Sequence, residues 1–195
     1  MDENHVGTLI ERIYSSAFEQ NGWDRLAQNL RVEFGASQIA TVAYSWADET
    51  VQFGYATADP SCAGRYLDYY HKCELILPIY RDNVTRLSCL PVFSTDLLIE
   101  RDAHFNSEMY QDFLKDYDMS MPLVGMLEIS DDKFAHFIVH RPFGRDCFNS
   151  EERELLAALT PHLHRGLRIY REMEGLRAKA GAFEDALDAH GAATF

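Results

Sequence analysis

The chain has 195 residues, 47% of them hydrophobic, which suits the core of one domain plus an extension and excludes global disorder. Its 31 acidic residues outnumber its 18 basic ones, and the net charge of −13 disfavours binding to nucleic-acid phosphates or to anionic membrane surfaces. The sequence shows no apolar run of membrane-spanning length and no signal peptide at its acidic start. These properties predict a cytoplasmic protein that does not bind DNA as this chain alone.

No catalytic or cofactor-binding motif is recognisable in the sequence. It lacks a nucleophile elbow, a glycine-rich phosphate loop, an HExxH pattern and an EF-hand loop. The four cysteines, at positions 62, 73, 89 and 147, show no paired spacing and are predicted to be reduced thiols. We therefore expect no enzymatic activity, no cofactor and no metal site.

The sequence of the N-terminal part is predicted to form two helices followed by a β-hairpin. Apolar spacing indicates an amphipathic helix over about residues 5–19, which Asn21 and Gly22 end, and a second helix over about 23–35. Residues 37–46 alternate in polarity, and a turn at 47–50 leads to a partner strand over 51–56. One face of the first strand carries Ala40, Val42, Tyr44 and Trp46.

The remaining pattern completes an α+β domain with a central antiparallel sheet, flanking helices and a long C-terminal helix. The predicted elements are a helix from Pro60, a short helix or turn over 75–86, an edge strand over 91–94, a helix over 107–117, a second hairpin of strands 123–129 and 134–140, and the long helix from about Ser150. The loop-rich stretch 73–105 is expected to cover one face of the sheet, with a ligand pocket beneath it.

The start of the last helix has a strong local signal. Asn149 can cap the helix, and Glu152 can reach back to close a capping box. A leucine stripe follows, interrupted by Pro161, which removes a backbone donor and is expected to bend the helix. We expect His162 to hydrogen-bond the backbone freed by this proline, and His136 and His140 to be exposed or edge-strand histidines.

Residues 148–167 resemble the motif F-S-x-E-E-x-x-L-L-x-x-L-x-P-H-L-x-R-A of LuxR-type bacterial transcription regulators, in which a GAF-like sensory domain precedes a helix-turn-helix. Asn149 replaces the capping Ser or Thr, and Gly166 replaces the final Ala. Residues 105–119 resemble the run S-E-F-Y-x-D-F-L-x-P-x-G-L of the same family, with Met109, Asp116 and Asp118 in place of Phe, Pro and Gly.

The resemblance implies a GAF/PAS-like fold and a sensory and dimerisation role. The sensory domain would bind a small molecule or a partner, and the signal would pass to a C-terminal helix-turn-helix that is absent from this chain. DNA would be bound only through that helix-turn-helix. The alternative is a GAF-like domain that binds a cyclic nucleotide or another metabolite within a signalling enzyme.

A third run, residues 66–74, resembles the family's Y-x-x-x-Y-x-x-x-D-P pattern, with Glu74 and Leu75 in place of Asp and Pro. In acyl-homoserine-lactone receptors a Tyr and an Asp of a comparable run hold the ligand's amide, and the resemblance implies this role for Tyr66, Tyr70 and Glu74. Spacing by four places these three residues on one helical face. Alternatively, both tyrosines are core residues and Glu74 is a solvated helix end.

Aromatic residues with polar groups define a candidate pocket between the sheet face of Tyr44 and Trp46 and the helical layer. Such rings can bury a ligand and still offer hydrogen bonds, although they can equally fill a closed core. The candidate ligand-binding residues are Tyr44, Trp46, Tyr66, Tyr70, Glu74 and Tyr110.

The C-terminal helix is predicted to form a dimer. Residues 1–166 are expected to form the sensory domain, 167–190 a coiled-coil-like linker, and 191–195 the start of a further segment. The predicted dimerisation seam consists of Ile169, Met173, Leu176, Ala180, Phe183 and Leu187.

Overall fold

A computed structural model describes residues 3–57, 60–145 and 147–192, with side chains except at positions 53, 55, 56 and 184–192. The helices and strands are α1 (Glu3–Ser16), α2 (Gly22–Glu33), β1 (Gln38–Ser45), β2 (Thr50–Ala56), α3 (Pro60–Asp68), α4 (Ile76–Asp82), α5 (Val84–Leu87), β3 (Val92–Ser94), α6 (Arg101–Phe105), α7 (Glu108–Asp112), β4 (Leu123–Ile129), β5 (Lys133–His140) and α8 (Ser150–Ala192). None of the helices described is long and apolar enough to cross a membrane.

The five strands form one open antiparallel sheet in the order β2-β1-β5-β4-β3. The predicted α+β class, with a central antiparallel sheet and a long C-terminal helix, is confirmed. Strand β5 lies at the centre, so the prediction of exposed or edge-strand histidines is wrong. His136 is 2% exposed and His140 is 8% exposed, because both project from the central strand into the covered side of the sheet.

The two faces of the sheet are buried by different parts of the chain. Side chains of one face, including Ile39, Phe137 and Val139, form the main core with helices α1, α2 and α8. The other face, which carries Val42, Ile138 and Val124, is covered by the chain segment from α3 to residue 122. Burial on both faces explains the nearly continuous apolar sequence of β5.

Two predicted helical stretches are shorter than the sequence suggested. Helix α3 ends at Asp68, and a separate 3-10 turn covers Tyr70–Cys73 after Tyr69 leaves helical geometry. The helix predicted over 107–117 is divided at Phe113, whose φ of −135° separates α7 from a 3-10 turn at Leu114–Tyr117. Tyr66 and Phe113 are buried against Val42 and Ile138 of the sheet, and this packing outweighs local helix propensity.

The predicted capping box at the start of α8 is present. The Asn149 N–H donates to Glu152 Oε2 at 2.8 Å, and the Glu152 N–H donates to Asn149 Oδ1 at 2.9 Å. Glu152 also pairs with Arg141, which follows β5 and lies over the Phe148 ring at 4.2 Å. The cap therefore also connects α8 to the end of the central strand.

Helix α8 continues through Pro161 as one element. The prediction for His162 is not what the structure shows, because its Nδ1 is hydrogen-bonded to Tyr14 Oη at 3.0 Å rather than to backbone freed by the proline. The two rings meet edge to face, with centroids 5.7 Å apart. This pair joins α8 to α1.

Two glycines allow α8 to approach its neighbours closely. A Cβ at Gly166 would lie 2.7 Å from Ile13 Cγ2 on α1 and 3.3 Å from the Trp23 ring on α2. A Cβ at Gly125 on β4 would lie 2.7 Å from Thr160 Oγ1 on α8. Gly166 therefore serves packing at the expense of helix propensity.

The C-terminal part of α8 leaves the domain gradually. Leu167 and Tyr170 are still buried in the main core, and Arg177 donates to the Phe18 carbonyl at 2.6 Å. On either side of this contact, Leu176 and Phe183 are 59% and 66% exposed. The predicted seam residue Leu187 is helical but its side chain lies outside the description, as do residues 193–195 of the predicted following segment, whereas Gly191 and Ala192 are helical.

Replacing Gly166 by Ala should destabilise the protein, although alanine favours helices by about 1 kcal/mol over glycine. The new methyl group would overlap Ile13, and overpacking of this kind typically costs about 1–3 kcal/mol. Urea denaturation should show a lower unfolding free energy. The matched control is Gly175→Ala in the same helix, where no atom lies within 4 Å of the added Cβ and stability should rise. Equal effects at the two positions would contradict this explanation.

Candidate ligand-binding site

Two adjoining chambers lie between the sheet and its covering layer. The larger has a volume of about 70 Å³ and the smaller about 50 Å³. Both are lined by the same five residues at their junction, namely Glu74, Met109, Leu114, Ile138 and His140. The chambers therefore form one divided interior site at the position where the sequence predicted a pocket.

Glu74 lies where the chambers meet. It follows the 3-10 turn in an extended conformation, so it is not the solvated helix end considered as an alternative. Its carboxylate accepts a hydrogen bond from the hydroxyl of Tyr66, which is itself buried and lines the smaller chamber. Burial raises the pKa of Glu74 to about 7, which the Tyr66 hydrogen bond counteracts only in part.

Three histidines that the sequence did not identify as site residues line the larger chamber. His136 and His140 come from β5, and His104 comes from α6 in the covering layer. Burial lowers their pKa values to about 3, about 4 and about 4, respectively, so all three are neutral at pH 7. The apolar residues on both faces of β5 were the signal for a central strand, and hence for buried histidines.

Tyr44 and Trp46 lie outside the two chambers. Their rings pack together at 4.6 Å and against Phe134, and they line an outer groove with Lys72 and Arg81 that also reaches Glu74. Glu74 thus contacts both the interior and this groove.

The two remaining predicted residues line neither chamber. Tyr70 stacks on Phe113 at 4.7 Å and donates to the Asp112 carbonyl, so it does not share a face with Glu74. Tyr110 packs beside His104, with ring centroids 5.5 Å apart, and lines a different outer groove. The structure therefore brings together Tyr66 and Glu74 at the chambers, places Tyr44 and Trp46 with Glu74 in the outer groove, and separates Tyr70 and Tyr110 from Glu74.

The chamber walls combine apolar surface with a few polar atoms, the composition typical of small-molecule sites. Among the described residues, no lysine or arginine lines either chamber, and no group of three or more His, Cys, Asp or Glu residues could hold a metal ion. The arrangement can therefore bury and hydrogen-bond an uncharged molecule.

The fold is similar to that of LuxR-type ligand-binding domains and GAF domains. The VqsR ligand-binding domain from Pseudomonas aeruginosa matches with a TM-score of 0.58 at 17% identity, over 87% of this chain and 96% of that chain. CepR2 from Burkholderia cenocepacia, an N-acylhomoserine-lactone-dependent LuxR family transcription factor, gives 0.57 at 10% identity, over 89% and 99%. The GAF domain of an Acinetobacter phosphoenolpyruvate-protein phosphotransferase gives 0.54 at 9% identity, over 90% and 97%.

These matches confirm the GAF-like fold of LuxR-type sensory domains that the motifs predicted. Identities this low establish the fold alone. No protein-family model matches the sequence, and no curated protein does.

Replacing Glu74 by Gln should raise the unfolding free energy above that of the wild type by an amount that grows as the pH rises. Burial raises the pKa of Glu74 to about 7 in the folded chain, against a reference value of 4.5. Between about pH 4.5 and 7, Glu74 is ionised in the unfolded chain but still protonated in the folded one. The wild type therefore loses at most about 1.4 kcal/mol of unfolding free energy for each pH unit across this range. Gln carries no such dependence and can still accept from Tyr66.

The measurement is the difference in unfolding free energy between variant and wild type, from urea denaturation across this pH range. The difference should grow between about pH 4.5 and 7 and level off above it. The three buried histidines, whose pKa values are lowered, contribute the opposite slope, but they are present in both proteins and cancel. A difference independent of pH would contradict the buried position of Glu74.

Proposed function

We propose that this chain is the sensory and dimerisation domain of a bacterial, cytoplasmic LuxR-type transcription regulator. A small molecule occupies the divided chamber, and its binding changes how α8 presents a following helix-turn-helix. The activity is binding and signal transfer rather than catalysis. The main support is the largely apolar chamber, with no lysine or arginine among the described residues that line it, in a fold shared with LuxR-type ligand-binding domains.

The position of α8 is suited to transmitting ligand binding from the domain to a following segment. Its first half packs on the sheet face opposite the chamber, and its second half extends beyond the domain. A ligand that favours one arrangement of the covering layer and sheet would shift the population of α8 orientations by its differential affinity for the two arrangements. A helix that leaves the domain is a suitable carrier of such a change.

A cyclic-nucleotide domain is less well supported. A cyclic nucleotide carries a phosphate, which needs positive or hydrogen-bond-donating groups at its site. The described residues place no lysine or arginine on the chamber walls, and Glu74 adds a carboxyl group. The site chemistry therefore favours an uncharged ligand.

Filling the chamber junction should block ligand binding. The small-molecule fraction of an extract from the source bacterium should raise the melting temperature of the wild type by roughly 5–10 °C if a ligand is present at about 100 times its Kd. Met109→Trp places a larger ring where both chambers meet and should abolish the shift. Met173→Trp on α8 is the control and should keep it. Failure of every fraction to stabilise the wild type would contradict a ligand-binding role.

Dimerisation is proposed through α8 and the end of α1. Leu176 and Phe183 on α8 and Phe18 after α1 are exposed apolar side chains, and the Arg177–Phe18 contact places the two segments together. A second copy of this surface could cover them in a symmetric interface.

Leu176→Asp should therefore weaken the dimer without lowering the melting temperature of the domain, because the side chain is 59% exposed. Light scattering should show a dimer for the wild type and a monomer for the variant. The control is Val32→Asp on α2, which is 75% exposed and should leave the dimer intact. A wild type that stays monomeric at high micromolar concentration would refute the proposal.

A further inference from the structure

The outer groove beside Tyr44 and Trp46 differs from the interior chambers in both size and composition. Its volume is about 460 Å³, within the range of roughly 300–1,000 Å³ that is usual for small-molecule sites. The half-buried rings of Tyr44 and Trp46 pack together at 4.6 Å at the end of β1, and α4 contributes Leu77 and Pro78 to the lining. The groove therefore offers aromatic and apolar surface to a flat apolar group.

Four exposed charged side chains line the same groove. Lys72 and Arg81 are cations, and Glu49 and Asp82 are carboxylates. None of the four forms an ion pair with any residue that the structure describes, although exposed arginines elsewhere in the chain do. Charges of both signs are therefore available to a molecule in the groove.

Tyr44 shows that charges of opposite sign lie close to the ring surface. Burial raises the pKa of the Tyr44 hydroxyl, Glu49 raises it further, and Arg81 lowers it. Such effects decrease with distance, so both charges lie near this hydroxyl. Glu49 comes from the turn between β1 and β2, and Arg81 comes from α4. Both side chains are long, exposed and free to rotate, so their charged ends can adjust to the head groups of one molecule.

The charge balance of the groove selects the kind of molecule that fits it. Two cations face two exposed carboxylates here, although the whole chain has a net charge of −13. Glu74 also lines the groove, but burial raises its pKa to about 7, so it is only partly ionised at neutral pH. A simple anion would be repelled by the carboxylates and a simple cation by Lys72 and Arg81. A zwitterion can pair with both signs.

We propose that this groove binds a free amino acid with an aromatic side chain. The ligand's carboxylate pairs with Arg81, its ammonium group pairs with Glu49, and its ring packs on Tyr44 and Trp46. The site is separate from the interior chambers, so this inference goes beyond the proposed function.

The probes are phenylalanine and three analogues that each lack one of its groups. Hydrocinnamate lacks the ammonium group, phenethylamine lacks the carboxylate, and glycine lacks the ring. Binding is followed by the fluorescence of Trp46, because the other tryptophan, Trp23, is buried in the main core. Phenylalanine should change this fluorescence saturably, and each analogue should bind about tenfold or more weakly. Equal affinity for phenylalanine and its analogues, or no saturable response to phenylalanine, would overturn the proposal.

Two charge-removing variants test which head group meets which side chain. Arg81→Gln should weaken the binding of phenylalanine and hydrocinnamate but not that of phenethylamine. Glu49→Gln should weaken the binding of phenylalanine and phenethylamine but not that of hydrocinnamate. Both side chains are exposed, so the melting temperature should not change. Either variant weakening all three probes equally would contradict the assigned pairing.

A matched control is available on the next helix. Arg86 on α5 is exposed and does not line the groove, so Arg86→Gln makes the same change of charge outside the site. It should leave the affinity for all the probes unchanged. A loss of phenylalanine binding equal to that of Arg81→Gln would show that only the overall charge matters and would refute the site.

The outcome is separable from that of the proposed function. Met109 lines both interior chambers but not the groove, so Met109→Trp should keep phenylalanine binding, measured by calorimetry. If that variant folds and loses phenylalanine binding, the ligand lies in the interior and the groove proposal fails. If extract fractions stabilise the wild type but phenylalanine does not bind, the groove proposal fails and the sensory role stands.

Discussion

Burial of β5 on both faces is the constraint on which this fold depends. Hydrogen bonds to β1 on one side and β4 on the other make it the centre of the sheet. Its Phe137 and Val139 face the helices of the main core, whereas His136 and His140 face the covered chamber. The same eight residues therefore provide stability on one side and polar atoms on the other. The layer of α1, α2 and α8 and the loop-rich layer together remove this strand from water.

Helix α8 is attached to the domain at several separate points. Its cap is bound to Arg141 at the end of β5, its middle contacts α1 through Gly166, and Arg177 holds the backbone near Phe18. These contacts differ in kind, since the first is ionic, the second is close packing and the third is a hydrogen bond to a carbonyl. Arg177 is the most C-terminal of these three attachment points.

Much of the fold could be predicted because its signals are local. Alternation identified the hairpins, and the spacing of Asn149 and Glu152 identified the start of α8. The breaks in the helices were missed because the non-helical backbone angles of Tyr69 and Phe113 have no local sequence signal, and Phe113 is buried in tertiary contacts that form only on folding. The divided chamber was harder still, because its walls meet only after folding. His104 and His140 are far apart in sequence, and nothing in their neighbours indicates that they face one cavity.

Misassignment of the aromatic residues has a related physical cause. Tyr44, Tyr70 and Tyr110 have the amphipathic chemistry of pocket residues, but in each case ring packing directs the side chain away from the interior chambers. Residue type alone does not distinguish a ring that fills a core from one that borders a cavity. The distinction follows from the space left beside the ring, which only the assembled layers define.

The absence of a side chain at Gly125 has a mechanical consequence. Val124 lines the larger chamber on one face of β4, and on the other face Thr160 of α8 approaches the backbone of Gly125 directly. Flexible side chains on both partners usually absorb small displacements between packed elements, but here β4 contributes none, and the Thr160 and Leu156 side chains of α8 lie directly against the strand backbone. A shift of β4 would therefore act on Thr160 of α8 through a backbone contact. The contact joins the two sides of the sheet rigidly, six residues along α8 from Gly166 and its contact with α1.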